Sequence, residues 1–209
     1  MKYKNERTAV ADCMRRLYRQ GLTTTSGGNI SLRVTDEHVL LTASKFDKGE
    51  LNAGQVGILK MTGENLTPEL SPSIEAGMHL AIYKCRPDIR AVVHAHPVTA
   101  SAFTASKTPL NTRLIAESYA IVGTPGYAPY ALMGTPALAS SVAETARSHN
   151  CILMANHGVI ALGKSLIEAF DRLEVLEAAA RLSVIAAQIG NTVELDEKQL
   201  DEIDGLMGR

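Results

Sequence analysis

The chain has 209 residues, 45% of them hydrophobic and 21% charged, with a formal net charge of −1. That length holds one domain with a sizeable core, expected to span residues 1–209, and the composition is ordinary for a globular protein. The balanced charge argues against a broad basic surface for nucleic acid or membrane, residues 1–7 lack an apolar signal core, and no run approaches membrane-spanning length, so a cytoplasmic protein is expected.

Residues 8–20 have the spacing of an amphipathic helix, with Val10, Cys13, Met14 and Leu17 as its apolar stripe and Gly21 as its stop. A small polar loop, residues 23–29, follows. Residues 30–34 and 38–43 read as a hairpin around Thr35-Asp36, and residues 55–61 as a further strand. Residues 73–85 are predicted as a helix, with Ser73 near its cap, Glu75 in its first turn and Arg86-Pro87 ending it. Residues 89–93 form a short buried strand and residues 98–106 a short helix. Residues 108–131 are loop-rich and show no clear period. Thr135 caps, and Pro136 opens, a helix to about His149. Residues 151–155 and 159–162 are apolar strands on either side of Asn156-His157-Gly158. Residues 165–189 form a long helix, with Ser165 and Glu168 as a capping box, and residues 195–206 a last, acidic helix. Strands interleaved with helices predict one α/β domain with helices on both faces of a mixed sheet.

Four side chains carry metal-binding chemistry: Glu75, His94, His96 and His157. Side chains two apart on a strand share a face, so His94 and His96 point the same way, and Pro97 then ends the ladder. His157 stands in a polar turn between two buried strands, where Gly158 permits a positive φ or a close backbone approach. Three imidazoles and a carboxylate suit a divalent transition ion, zinc above all. Cys13, Cys85 and Cys151 have no Cys-x-x-Cys spacing and read as reduced structural thiols. Three loops of small polar residues offer donors to an anion: Ser26-Gly27-Gly28-Asn29, then Thr42-Ala43-Ser44-Lys45, then Ser71 and Ser73. Together with the metal set they point to a phosphorylated, oxygen-rich substrate. His79, one turn after Glu75, reads as a core histidine.

In this order, Ser26-Gly27-Gly28-Asn29-Ile30-Ser31, Leu41-Thr42-Ala43-Ser44, Pro72-Ser73-Ile74-Glu75 with His79, Val92-Val93-His94-Ala95-His96, Ala128-Pro129-Tyr130 with Gly134-Thr135, and Asn156-His157-Gly158 resemble the class II aldolase and adducin family. Its members include L-fuculose-phosphate aldolase, L-ribulose-phosphate 4-epimerase and the adducin head domain. The resemblance implies a three-layer α/β/α fold around a mixed, largely antiparallel sheet. It implies one zinc ion per chain on His94, His96 and His157, with Glu75 as fourth ligand or acid/base, and a homotetramer with interfacial active sites. It places Gly28, Asn29, Ser44 and Ser73 near a substrate phosphate, with Lys45 beside them where a glycine is frequent. Glu117 or Tyr119 is expected to serve as a second acid/base, and Arg113 falls near where the aldolase carries a tyrosine. The implied activity is zinc-dependent cleavage of a small ketose 1-phosphate to dihydroxyacetone phosphate and an aldehyde through a metal-stabilised enediolate. A pentulose-phosphate epimerase, a sugar-phosphate dehydratase and a non-catalytic adducin-like module are the alternatives.

Overall fold

The computed structural model describes residues 1–209. Seven strands, β1 (Asn29–Arg33), β2 (His38–Thr42), β3 (Val56–Lys60), β4 (Ala91–Ala95), β5 (Gly126–Ala128), β6 (Cys151–Met154) and β7 (Gly158–Gly163), form one sheet in the order β3-β2-β1-β4-β7-β6-β5. Every neighbouring pair is antiparallel except β5–β6. The helices are α1 (Lys4–Arg19), α2 (Ala76–Cys85), α3 (Val98–Thr104), α4 (Ala116–Val122), α5 (Pro136–Ala146), α6 (Leu166–Ile189) and α7 (Glu197–Met207).

Two apolar cores, one on each face of the sheet, make the expected three layers. The larger packs Val10, Met14 and Leu17 of α1 and Phe170, Leu173 and Leu176 of α6 against Ile30, Val93, Leu153 and Val159. The smaller packs Leu80 and Ile82 of α2 and Leu138 and Val142 of α5 against Val92, Ile152 and Ile160. Successive residues of β4, β6 and β7 alternate between the cores, as the period of two requires. Glu177 of α6 is buried, and its carboxylate accepts from the backbone N–H groups of Thr99 and Ala100, so it fixes α3 just after the strand that carries the histidine pair.

Several sequence expectations are corrected. The helix expected from Ser73 starts at Ala76, with Glu75 at its N-cap and no side-chain capping bond, because that carboxylate turns elsewhere. Residues 108–131 contain α4 and β5, which at seven and three residues are too short to show a period. Ser165 does cap Glu168 N, but the Glu168 carboxylate accepts from Lys164 N, so the box is displaced by one residue. The strand expected over residues 89–93 runs from Ala91 to Ala95.

Candidate metal centre

β4 carries His94 at its carboxyl end, and His96 follows directly after it. Ala91, Val93 and Ala95 lie in the α1/α6 core and Val92 in the α2/α5 core, so His94 faces the α2 side. The His94 and His96 ring centroids are 4.7 Å apart. His157 arrives from the β6–β7 hairpin, where Met154 pairs with Gly158. The turn is made by Asn156 at φ 54, a residue that tolerates the left-handed region. The positive φ therefore falls at Asn156, while Gly158 provides the close approach: a Cβ there would overlap the His96 ring and the Ala95 carbonyl. The ligand nitrogens of His94, His96 and His157 all lie within 4.8 Å of one another.

Glu75 lies against two of the three. Its Oε2 is 3.2 Å from His94 Nε2 and its Oε1 is 3.2 Å from His157 Nε2. His94 Nδ1 bonds the Val159 carbonyl at 3.0 Å, so Nδ1 carries the proton and Nε2 presents a lone pair. That lone pair faces a carboxylate oxygen. Despite their proximity, His94 Nε2 and Glu75 Oε1 are buried with no hydrogen-bond partner. Such orphaned acceptors are costly, and a divalent cation satisfies them. The residues present fit a metal ion: three imidazoles, with one ring held by a backbone carbonyl as metal-bound histidines usually are.

The electrostatics agree. Burial alone would raise the Glu75 carboxyl, but the His157 and His94 imidazoles and the Asn29 amide outweigh it and hold the group well below the usual carboxylate range. Burial, with the His94 and His157 rings beside it, lowers His96 to about 4, so its ring is neutral near pH 7 and free to donate a lone pair.

A buried polar chain supports Glu75 from behind. Asn29 Nδ2 donates to Glu75 Oε2 at 2.7 Å and to Ser73 Oγ at 3.1 Å. Asn29 Oδ1 meets His79 Nε2 at 2.5 Å, and His79 Nδ1 meets Ser31 Oγ at 2.6 Å. Since the amide oxygen only accepts, Nε2 carries the His79 proton and Ser31 donates to Nδ1. Tyr83 OH lies 2.8 Å beyond, on Ser31 Oγ. His79 is thus more than a core histidine, because it fixes which way the Asn29 amide points. Its spacing from Glu75 hinted at proximity, but the partners Ser31 and Tyr83 come from other elements and left no local signal.

A cavity of about 460 Å³ opens over the site. Gly28, Asn29, Ser44, Lys45 and Ser73 line it together with Glu75, His96 and His157. Gly28 sits at φ +68, and a Cβ there would stand 2.6 Å from the His94 carbonyl oxygen. Ser44 Oγ donates to the Pro72 carbonyl, which ties its loop to the Ser73 loop. Lys45 is exposed at φ 67, the conformation that glycine adopts most easily. Lys48 also lines the cavity, and the sequence reading missed it because only the fold shows that it is buried.

Two expected residues are not brought to this cavity within one chain. Glu117 is exposed on α4, and the Tyr119 hydroxyl, on the same helix, is bonded to Asp204 of α7. Arg113 pairs with Glu197 at 2.7 Å. Cys151 lies in the α1/α6 core, on the face away from the imidazoles, and burial pushes its thiol up to about 12, so it is no fourth ligand.

A three-layer fold that gathers His94 and His96 at the end of β4, His157 from the β6–β7 turn and Glu75 at the N-cap of α2 presents a donor set that could hold a metal ion. A family model described as Class II Aldolase and Adducin N-terminal domain matches residues 8–184. A 3-oxo-tetronate 4-phosphate decarboxylase of Haemophilus influenzae is 36% identical over 172 residues, 80% of this chain and 81% of the relative. A 5-deoxy-D-ribulose 1-phosphate aldolase of Bacillus thuringiensis serovar kurstaki is 32% identical over 207 residues, 97% and 95% of the two chains. An L-fuculose phosphate aldolase of Methanocaldococcus jannaschii is 32% identical over 171 residues, 82% and 91%. Among solved structures, an L-fuculose 1-phosphate aldolase superposes with a TM-score of 0.92 at 27% identity, covering 100% of this chain and 99% of the other. The chain belongs to the class II aldolase and adducin family.

Proposed function

We propose that this protein is a zinc-dependent lyase that cleaves a small ketose 1-phosphate to dihydroxyacetone phosphate and an aldehyde. The observation that carries the reading is Glu75, held ionised against His94 and His157 at the floor of the cavity lined by the anion loops. His94, His96 and His157 would hold the ion. Bound there, a divalent metal supplies Lewis acidity that stabilises negative charge on the substrate oxygens as the carbon–carbon bond breaks.

The chain's own residues do the rest. The loops at Gly28, Ser44 and Ser73 hold the phosphate, which keeps the reacting carbons in register and lowers the entropic part of the barrier. In the condensing direction the Glu75 carboxylate takes the proton from the carbon beside the carbonyl, and in cleavage it returns that proton to the same carbon. Asn29 keeps Glu75 aimed. A second acid/base serves the aldehyde oxygen. Glu117 and Tyr119 remain the residues proposed for it, and in a homotetramer with interfacial sites they would act on a neighbouring subunit's cavity. The exposed apolar side chains Ile74, Tyr130, Leu132 and Met133 support such an assembly, because Ile74 and Met133 line the cavity itself. No helix is long and apolar enough to cross a membrane, and we read the protein as cytoplasmic.

A decarboxylase reading has its own support in the 36% identical relative of that name. Loss of carbon dioxide from a 3-oxo acid also leaves charge on oxygens beside the broken bond, so the same site serves it. The deciding experiment is a panel of ketose 1-phosphates and 3-oxo-tetronate 4-phosphate, with and without chelator, on wild type, Glu75→Gln and His157→Ala. Chelator-sensitive release of dihydroxyacetone phosphate, absent in both variants, supports the aldolase. Carbon dioxide release instead moves the reaction to decarboxylation. A metal-loaded protein silent on both points to epimerase or dehydratase chemistry.

A further inference from the structure

Apart from Lys45, which is exposed, the anion loops carry no cationic side chain at the cavity, and few of their side-chain donors are free. Both hydrogens of the Asn29 amide are used, on Glu75 and Ser73, and the Ser44 hydroxyl is spent on the Pro72 carbonyl. The Ser73 hydroxyl accepts from Asn29 Nδ2 and from Glu75 N, which leaves one proton for a ligand. These hydroxyls and this amide are neutral donors and bring no charge to offset a phosphate dianion.

Lys48 lines the same cavity and is 3% exposed. Its Nζ has a single protein partner, the Ala43 carbonyl at 3.1 Å, so two of its three N–H groups are unused. Burial pushes its ammonium below the usual lysine range, and no carboxylate opposes that shift. A buried cation without a counter-ion is unfavourable and is retained only where something else compensates. The backbone places it deliberately: Lys48 N donates to the Thr25 carbonyl at 3.0 Å, which fastens its loop to the Ser26–Asn29 loop. Lys45 lines the cavity too, but it is exposed where Lys48 is buried.

We propose that Lys48 is the counter-charge for the substrate's phosphate and so determines specificity for phosphorylated over neutral substrates. The inference rests on the phosphorylated-substrate reading above. Its test uses the metal-loaded full-length protein and inorganic phosphate as probe, with binding measured by calorimetry, followed by KM and kcat on whichever phosphorylated substrate the panel identifies. In Lys48→Met the phosphate Kd is expected to weaken at least about 10-fold, since hydrogen bonds to charged groups carry that much, and KM to rise by a similar factor with kcat less affected. Lys60→Met, which removes a distant surface charge paired with Glu64, controls for net charge. If Lys48→Met does not fold, Lys48→Gln, which keeps a donor for the Ala43 carbonyl, is measured in its place. Wild-type phosphate affinity in a folded Lys48 variant overturns the inference and leaves the aldolase reading intact. Failure of wild type itself to bind phosphate overturns both.

Discussion

Asn29 and His94 stand directly opposite one another on the antiparallel pair β1–β4, and both reach the same oxygen of Glu75. The strand that leaves the anion loop and the strand that carries the histidine pair are therefore locked in register. One carboxylate reports on both.

Asn29→Ala removes the amide that donates to Glu75 at 2.7 Å. A hydrogen bond to a charged group contributes about 1.5–3 kcal/mol, which corresponds to roughly one to two pK units. The amide favours the ionised form, so its loss raises the Glu75 pKa. The acid limb of the pH–rate profile is expected to move upward by about that amount. An unmoved limb would show that the Asn29 amide does not help to hold Glu75 ionised.

His79 is fully buried, and burial, with the neighbouring His94 ring, lowers it to about 3 from an ordinary value of 6.5. Below pH 6.5 the unfolded chain takes up a proton that the folded chain refuses, so stability falls as pH drops, by up to about 1.4 kcal/mol per unit for this one group. His96, lowered to about 4, adds to the same slope. The comparison is kept at pH 5 and above, where ordinary carboxylates are mostly ionised. In chelated protein, the stability of His79→Gln measured by urea unfolding between pH 7 and 5 is expected to depend less steeply on pH than that of wild type.

Much of this site could be read before the fold was known, for a physical reason. His94 and His96 announce themselves because a strand's period of two is local, and the anion loops do so because glycine and hydroxyl residues cluster in sequence. The cores and the three layers follow from patterns that α1, α6 and the strands carry in their own residues. What stayed hidden depends on contacts distant in sequence. The role of His79 needs Ser31 and Asn29, 48 and 50 residues away. Lys48 is buried where Lys45 is exposed, and the contact that fastens its loop, Lys48 N to the Thr25 carbonyl, comes from a segment more than twenty residues away. α4 and β5 are held by tertiary packing rather than by propensity.

Gly158 separates a backbone role from a ligand role. An alanine Cβ would overlap the His96 ring and the Ala95 carbonyl, so the imidazole must shift from the other two. Gly158→Ala is expected to retain the fold but lose metal affinity by about 10- to 100-fold, the range seen when the support of a ligand is disturbed. Gly28→Ala, at φ +68 and against the His94 carbonyl, is instead expected to cost about 1–3 kcal/mol of stability. Metal titration and thermal melts on both variants check the division.

Metal binding should register in stability independently of turnover. An ion that binds the folded chain alone adds RT ln(1 + [L]/Kd), about 2.7 kcal/mol at 100 times Kd. For a chain of this size 1 kcal/mol moves Tm by about 2–4 °C, so zinc at that excess is expected to raise Tm by roughly 5–11 °C over chelated protein. His157→Ala removes one of the three imidazoles that cluster within 4.8 Å, and its zinc-dependent rise should largely vanish. Its chelated Tm is compared separately, because loss of the imidazole 3.2 Å from the buried Glu75 carboxylate is itself expected to lower stability without metal. Equal zinc stabilisation in His157→Ala and wild type would place the ion elsewhere on the chain and remove the basis for assigning the three histidines to it.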